Sequence, residues 1–354
     1  MESSKVQVIE SSFVAPSKAA PTKELWLSPL DHELFNRGHT PVAFFYRSGA
    51  AFSDADRIKE GMAMALAAFY PLAGRLCVNG DGRAHISCNG EGALFVVARS
   101  DLKSDELDFT KPSPELRGMF VPRVEPVAVS DTPGRPAATE VFTISRDQLV
   151  ALRRLCGRAS AFCSVSALVW RCTSAARRLP PDAEARFSFP ADVRRRVKSL
   201  TPDCYFGNAL VFLCAAAAAG DIASEALASV AGRIGGAIAR MDAELVRSAI
   251  DYSELAGMDT RSMRASMPET ELRISSWLGM PAYDADFGSG KPQVVSLAGP
   301  ARGGMVYLMD DGPRDQGDAG AVRVVMSMEA ENMEEFGRLL YANIAEASKL
   351  ALDN

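Results

Sequence analysis

The sequence predicts a mixed α/β protein of two domains. The chain has 354 residues, 47% of them hydrophobic, so it is long enough to bury a large core and to divide into two domains. β-Rich runs bounded by glycine turns alternate with helical stripes, in which apolar residues recur every three or four positions. Neither an internal repeat nor a heptad pattern is present.

The first half is predicted to contain strands, one helix and a long irregular segment. In order, these are a strand at 42–46, a helix behind a Ser53–Asp56 capping box that ends before Pro71, strands at 84–87 and 93–98 that follow glycine-rich turns at 79–82 and 89–92, and a proline-rich loop from 101 to 136. The turns and strands together indicate a β-meander. A structureless connection as long as this loop is unusual within a domain.

The second half shows stronger helical periodicity. In order, we predict a strand at 141–144, a helix capped by Ser145 and ending at Gly157, a helix at 164–178, a largely helical region at 221–252 interrupted near Gly235 and Gly236, strands at 305–309 and 322–329, and a last helix that buries Phe336, Leu339, Leu340, Ile344 and Ala347.

Charge and hydropathy narrow the possible partners. The formal net charge of −5 gives no electrostatic footprint for nucleic acid or for an anionic membrane. The first residues lack the apolar core of a signal peptide, and the longest apolar run, 209–219, is too short to span a bilayer. We therefore expect a cytoplasmic monomer with no membrane or nucleic-acid partner.

The cysteines and histidines do not predict a metal site or a disulfide framework. The seven cysteines are Cys77, Cys88, Cys156, Cys163, Cys172, Cys204 and Cys214, an odd number without a Cys-x-x-Cys pair. The three histidines, His32, His39 and His85, are scattered along the chain, whereas a metal site needs clustered ligands. We predict reduced thiols in the core.

One basic cluster, Arg194-Arg195-Arg196 with Lys198, leaves two interpretations open. It could be a solvated surface run, or it could bind phosphate, since arginine presents forked donors to phosphate oxygens. A second short motif, Asp286-Phe287-Gly288, invites comparison with kinases, but the glycine-rich loop, the strand lysine and the His-Arg-Asp loop of a kinase are all missing.

Five segments in order resemble the BAHD family of plant acyl-CoA-dependent acyltransferases. They are Leu27-Ser28-Pro29-Leu30-Asp31, Tyr70-Pro71-Leu72-Ala73-Gly74-Arg75, Ala191-Asp192-Val193-Arg194 leading to Tyr205-Phe206-Gly207-Asn208, Ser276-Trp277, and Asp286-Phe287-Gly288-Ser289-Gly290-Lys291-Pro292. Each is weak alone, but together they cover nearly the whole chain. The N-terminal region is most similar to grass hydroxycinnamoyltransferases.

The resemblance implies a fold and a reaction. The fold is chloramphenicol-acetyltransferase-like, with two α/β domains, here 1–130 and 138–354 joined by a linker at 131–137. The reaction transfers an acyl group from acyl-CoA, a co-substrate rather than a bound cofactor, to an amine or alcohol. The segment Asp286, Phe287, Gly288, Ser289 and Gly290 is implied to be structural, and Arg194 and Arg195 are candidate ligands of the CoA phosphates.

This sequence departs from the family at its general base, a histidine in an H-x-x-x-D motif. The fourth residue after each histidine is Asn36, Ala43 or Asn89, so no histidine fits the motif. Several dozen residues of the family pattern are missing near the loop around Pro126, and Ser289 replaces a tryptophan. We predict an incomplete N-terminal domain and severely impaired catalysis. Two alternatives stay open: a non-catalytic CoA-binding or regulatory remnant, and an incomplete splice or gene-model product, which reading the transcript across 126–138 would detect.

Overall fold

The computed structural model describes residues 6–35, 39–47, 54–102, 106–122, 137–194, 205–255, 267–288, 290–313 and 320–352. The strands are β1 (Val6–Val14), β2 (Lys23–Trp26), β3 (Val42–Phe45), β4 (Arg75–Val78), β5 (Ala84–Cys88), β6 (Ala93–Ser100), β7 (Ala137–Ile144), β8 (Glu184–Asp192), β9 (Leu210–Ala218), β10 (Glu271–Ser276), β11 (Val294–Leu297), β12 (Met305–Asp310) and β13 (Val322–Glu329). The helices are α1 (Pro29–Phe35), α2 (Ala55–Ala68), α3 (Pro114–Phe120), α4 (Arg146–Leu155), α5 (Ala161–Ala176), α6 (Ala219–Ser224), α7 (Leu227–Ala239), α8 (Ala243–Leu255) and α9 (Ala330–Leu352).

The C-terminal half is built on a six-stranded mixed sheet in the order β7-β13-β12-β10-β8-β9. Strands β8, β10 and β12 run parallel to one another, and the other pairs are antiparallel. Helices α5, α7 and α9 pack against the sheet and one another, and α4 packs on α5 and α9. Trp170, Phe187 and Phe336 are fully buried in the core that these layers enclose.

Local sequence signals account for the best-formed elements of this half. Helix α4 begins at a capping box in which the Ser145 hydroxyl accepts from the Gln148 amide and the Gln148 side chain accepts from the Ser145 amide, as predicted from Ser145. In α9, Phe336, Leu340 and Ile344 are buried, which confirms the predicted stripe. Strand β13 has the predicted bounds.

The N-terminal half contains only small sheets in the part of the chain that the structure describes. Strands β1 and β6 form a two-stranded ribbon, and β2, β5 and β4 form a three-stranded sheet. The hydrophobic cluster beneath them contains three buried residues, Val14, Leu66 and Ala73. Two or three strands over so small a core give little independent stability.

A ribbon made of one strand from each half connects the two parts. Strand β3 pairs with β11 in antiparallel fashion, from Val42 opposite Leu297 to Phe45 opposite Val294. The predicted division into 1–130 and 138–354 stays a prediction, since residues 123–136 lie outside the described ranges. Strand β7, which begins at Ala137, already belongs to the C-terminal sheet.

The predicted β-meander is wrong. Strands β4 and β5 form a hairpin as predicted, but β6 pairs with β1 and not with β5. Strand β5 has β2 on its other side, so the turn at 89–92 carries the chain from one sheet into another. Gly92 adopts φ = 91° there, and a Cβ on it would lie 2.3 Å from the Val14 carbonyl oxygen, so glycine is required by close approach as well as by conformation.

Three helix predictions also need correction. The N-cap of α2 is Asp54, whose carboxylate accepts from the Arg57 amide, and not Ser53, which lies outside the described residues. Helix α3 interrupts the predicted loop, with Ser113 as its N-cap and proline in its first turn. The region 221–252 breaks at 225–226 and 240–242, whereas Gly235 and Gly236 lie inside α7, where packing of its apolar face outweighs the low helix propensity of glycine.

The described cysteines are free thiols, but they are not all in the core. Cys88, Cys156, Cys163 and Cys172 are buried, as predicted, while Cys214 on β9 is exposed. Cys204 lies outside the described residues. Among the described helices, none is long and apolar enough to cross a membrane.

Candidate functional site

The turn at 286–290 is organised by the carboxylate of Asp286. Its Oδ1 accepts hydrogen bonds from the amides of Gly288 (2.7 Å) and Gly290 (3.0 Å). Both glycines have positive φ, 97° and 85°, a backbone conformation that other residues adopt at a cost. Asp286 therefore shapes the turn, and the structural role of the motif as a whole stays a prediction. Ser289 lies outside the described residues.

Residues of the N-terminal half hold this turn in place. The Tyr46 hydroxyl donates to the Ala285 carbonyl at 2.7 Å, and the Tyr46 and Phe287 rings meet edge to face with centroids 6.0 Å apart. Burial raises the pKa of Tyr46, and the charge of Asp286 raises it further, so the phenol stays protonated as a donor. A Cβ at Gly288 would touch the Arg57 guanidinium at 3.4 Å.

A buried arginine fixes the segments on either side of the same turn. Arg323 on β13 is 3% exposed and donates from Nη2 to the Tyr283 hydroxyl (3.1 Å) and to the Val295 carbonyl. Its Nε faces Asp311 Oδ1 at 3.1 Å, an ion pair without the geometry of a hydrogen bond. Arg323 was not among the predicted site residues, although a single arginine within the largely apolar run 322–328 is a signal of a buried charge with partners.

The motif at 70–75 forms a tight structural corner. Ala73 is fully buried, and its carbonyl accepts from the Gly92 amide at 3.0 Å. Arg75 donates from Nη1 to the carbonyls of Gly74 (2.9 Å) and Gly92 (2.8 Å) and pairs with Glu91 at 2.9 Å. These contacts hold the start of β4 against the start of β6.

Arg194 forms its hydrogen bonds in this structure with other residues of the chain. Its amide and Nη1 bond to Asp192 Oδ1, Nε donates to the Tyr205 carbonyl at 3.3 Å, and Nη2 donates to the Gly207 carbonyl. The guanidinium also lies over the Tyr205 ring, 5.8 Å from its centroid. It thus fastens the end of β8 to the segment 205–208. Its contact with a CoA phosphate stays a prediction, and Arg195 lies outside the described residues.

Three of the five sequence motifs meet, and the motif that contains the 286–290 turn lies apart. The ring of Phe206 lies 4.8 Å from that of Phe69, immediately before the 70–75 corner. Burial raises the pKa of Tyr205, and the nearby Asp31 carboxylate raises it further. Asp31 in turn accepts from the amide and hydroxyl of Ser28. The motifs at 27–31, 70–75 and 205–208 therefore surround one region, whereas the 286–290 turn rests on Tyr46.

His32 and His85 lie beside charged residues, and among the described residues His32 Nε2 and His85 Nδ1 are buried without a hydrogen-bond partner. Burial lowers the pKa of His32, and the Arg83 charge lowers it further. Arg83 forms a two-point ion pair with Glu254 of α8, at 2.8 and 3.0 Å, and so bridges the two halves of the chain. His85 on β5 lies 3.8 Å from Glu24.

Comparison with known proteins decides the family. The model of the transferase family matches residues 4–136 and 138–342, nearly the whole chain. The chain belongs to the BAHD acyltransferase family. Putrescine hydroxycinnamoyltransferase 1 of Oryza sativa subsp. japonica is 31% identical over 445 positions, covering 96% of this chain and 99% of that protein. Hydroxycinnamoyltransferase of Narcissus pseudonarcissus is 30% identical over 438 positions, covering 95% and 99%.

Solved structures confirm the predicted BAHD fold. Vinorine synthase is similar with a TM-score of 0.70 at 20% identity, covering 93% of this chain and 96% of that protein. TRI101 of F. graminearum, in complex with coenzyme A and deoxynivalenol, is similar with a TM-score of 0.67 at 15% identity, covering 88% and 96%. These identities are low, so the likeness concerns the fold.

This BAHD chain is shorter than its relatives inside the aligned region. The alignment with the Narcissus protein has 438 positions, whereas this chain has 354 residues, so at least 84 positions contain no residue of this chain. Since the alignment covers 99% of the relative, these positions are internal. The family match is itself divided at residue 137.

Proposed function

We propose that this chain derives from a hydroxycinnamoyltransferase and, in its present form, has lost most or all of its turnover. The reaction of the lineage transfers a hydroxycinnamoyl group from a CoA thioester to an amine or alcohol. Several relatives carry hydroxycinnamoyltransferase names, including proteins named for putrescine and for shikimate as acceptors. Their identities near 30% support the reaction class and leave the acceptor of this chain open.

The observation that carries the proposal is the lack of a histidine with an aspartate four positions later. In the family reaction this histidine removes the proton from the acceptor nitrogen or oxygen as that atom attacks the thioester carbonyl. The C–S bond then breaks, the acyl group stays on the acceptor as an amide or ester, and CoA leaves as a thiol after protonation. A positioned general base contributes about 10²- to 10⁴-fold to such a rate.

The internal gap in the alignment supports the same conclusion. The family match breaks at residue 137, directly after the loop 101–136 near which residues of the family pattern are missing. The described motifs that remain make structural contacts: Asp286 organises a turn, Arg75 holds a corner, and Arg194 connects the end of β8 with the segment 205–208.

A rate assay on two matched chimeras tests the proposal. The purified native chain, with p-coumaroyl-CoA and either putrescine, shikimate or 5-hydroxyanthranilate, should show no turnover above background. Insertion after Pro126 of the rice segment that carries H-x-x-x-D should restore acyl transfer, and the same insertion with alanine in place of the motif histidine should not. Rapid turnover by the native chain, abolished by His32→Ala or His85→Ala, would contradict the proposal and identify a substitute base.

A second candidate, a non-catalytic CoA-binding protein, is favoured by the well-formed C-terminal core. The six-stranded sheet and its helices enclose a continuous cluster of buried residues, in contrast to the N-terminal half. Calorimetry with CoA would measure such binding. If Arg194 and Arg195 bind the phosphates, the Arg194→Ala/Arg195→Ala variant should bind more weakly, and equal affinity would remove that assignment.

A further inference from the structure

Helix α1 of the N-terminal half is held against the C-terminal half. It packs on α8, and its residue Leu30 is buried in the large hydrophobic core of the C-terminal half. The turn between β4 and β5 reaches α8 as well, because Arg83 in that turn forms its two-point ion pair with Glu254. Two elements of the N-terminal half therefore meet one helix of the C-terminal half. We call α1, this turn and α8 the junction.

The side chain of His32 lies inside the junction. Its Nε2 atom is buried, and no described residue forms a hydrogen bond with it. The charges of described residues that act on it come from all three elements: Asp31 on α1, Arg83 in the turn and Glu254 on α8. The Arg83 guanidinium also lies 5.0 Å from the centroid of the Trp26 ring. A proton on His32 would therefore be placed near a cation that is held from two sides.

These surroundings favour the neutral imidazole. Burial is the largest effect on the pKa of His32 and lowers it, and the positive charge of Arg83 lowers it further. The carboxylates of Asp31 and Glu254 act in the opposite direction, each more weakly than the charge of Arg83. Both carboxylates already accept hydrogen bonds, Asp31 from Ser28 and Glu254 from Arg83. In the junction, His32 therefore stays neutral at pH values at which a solvated histidine takes up a proton.

We propose that His32 makes the contact between the two halves pH-dependent: the junction is closed while the imidazole is neutral, and it opens as His32 takes up a proton. Above about pH 6.5, the ordinary pKa of histidine, His32 is neutral in the closed and the open form and has no effect. Below that pH the open form, in which water solvates the imidazole, binds the proton more readily and gains population. The gain ends where the pH falls below the lower pKa of the closed form. None of this requires turnover of an acyl-CoA.

Proton NMR of the native chain measures the titration of His32 directly. The chain has three histidines, so comparison with His32→Gln identifies the imidazole signal of His32. Its titration midpoint should lie below the ordinary value of about 6.5. Arg83→Gln should move the midpoint upwards, because this change removes the neighbouring cation. A midpoint at or above the ordinary value in the native chain would overturn the proposal.

Hydrogen exchange followed by mass spectrometry measures the opening. Helix α1 has seven residues, and so short a helix is not stable without its packing partner, so its amides should exchange when the junction opens.

After correction for the intrinsic effect of pH, exchange in α1 should be faster by up to about tenfold at one pH unit below the ordinary pKa, while exchange in α9 should not change. His32→Gln, which is neutral at every pH, should abolish this acceleration. His39→Gln is the matched control on an exposed histidine and should preserve it. Equal pH dependence in the native chain and in His32→Gln, or no acceleration in the native chain, would contradict the proposal.

Discussion

Replacement of Arg323 by methionine should destabilise the C-terminal half by about 3 kcal/mol. Loss of one partner of a buried ion pair costs roughly 3–5 kcal/mol. The lower end applies here, because the Asp311 side chain is 36% exposed and water can solvate it again. The Tyr283 hydroxyl and the Val295 carbonyl also lose a donor, and each unsatisfied buried group costs about 1–3 kcal/mol within that total.

Thermal and urea unfolding followed by circular dichroism would measure this loss. For a cooperative unit of roughly 200 residues, 3 kcal/mol corresponds to a fall in Tm of roughly 6–12 °C. Arg338→Met is the matched control: its ion pair with Glu335 is exposed, so its removal should change stability by less than about 1 kcal/mol. Equal effects of the two substitutions would refute the view that Arg323 fixes the segments around the 286–290 turn.

Three further predictions follow from local geometry. Gly74→Ala should destabilise the N-terminal half, because the new Cβ would lie 2.4 Å from the Ser87 carbonyl oxygen. Gly61→Ala, on the open side of α2, should stabilise the same half by up to about 1 kcal/mol, because alanine has the higher helix propensity. The urea concentrations at the midpoints of unfolding would measure both changes. The hydrogen bond from Arg83 lowers the pKa of Glu254 in the folded protein. The Arg83–Glu254 ion pair should therefore stabilise the fold at pH values above the pKa of this carboxyl in the unfolded chain, and the stabilisation should be lost as pH falls through the lower pKa of the folded state. The difference in Tm between the native chain and Glu254→Gln should vanish at low pH. Burial raises the pKa of Cys172 to about 12, so mass spectrometry after brief alkylation at neutral pH should find Cys214 modified before Cys172, and the reverse order would contradict the burial.

Elements encoded by neighbouring residues could be predicted from the sequence. The Ser145 capping box, the apolar stripe of α9 and the hairpin between β4 and β5 each depend on residues that lie close together in the sequence. Helix α3 was not predicted, because the surrounding prolines favour a loop, even though Ser113 followed by Pro114 is a helix-start signal.

Pairings between distant residues could not be predicted in this way. The turn at 89–92 has hairpin chemistry, yet β6 finds its partner in β1, because a turn motif does not identify the strand with which the next segment pairs. The bridge from Arg83 to Glu254 joins residues that no local pattern relates. For the candidate site, the family motifs indicated which segments matter, but only the structure shows that Arg194 is already bonded to protein.

The antiparallel pairing of β3 with β11 delays part of the folding until late in translation. Val42 can pair with Leu297 only after about 250 further residues have been synthesised. At a translation rate of about 5–20 residues per second, that interval lasts roughly 13–50 s. Throughout it, the nascent N-terminal half exposes strand edges that its final partner has not yet reached. The chain should therefore depend on chaperones on the ribosome more than a protein whose strands pair with near neighbours.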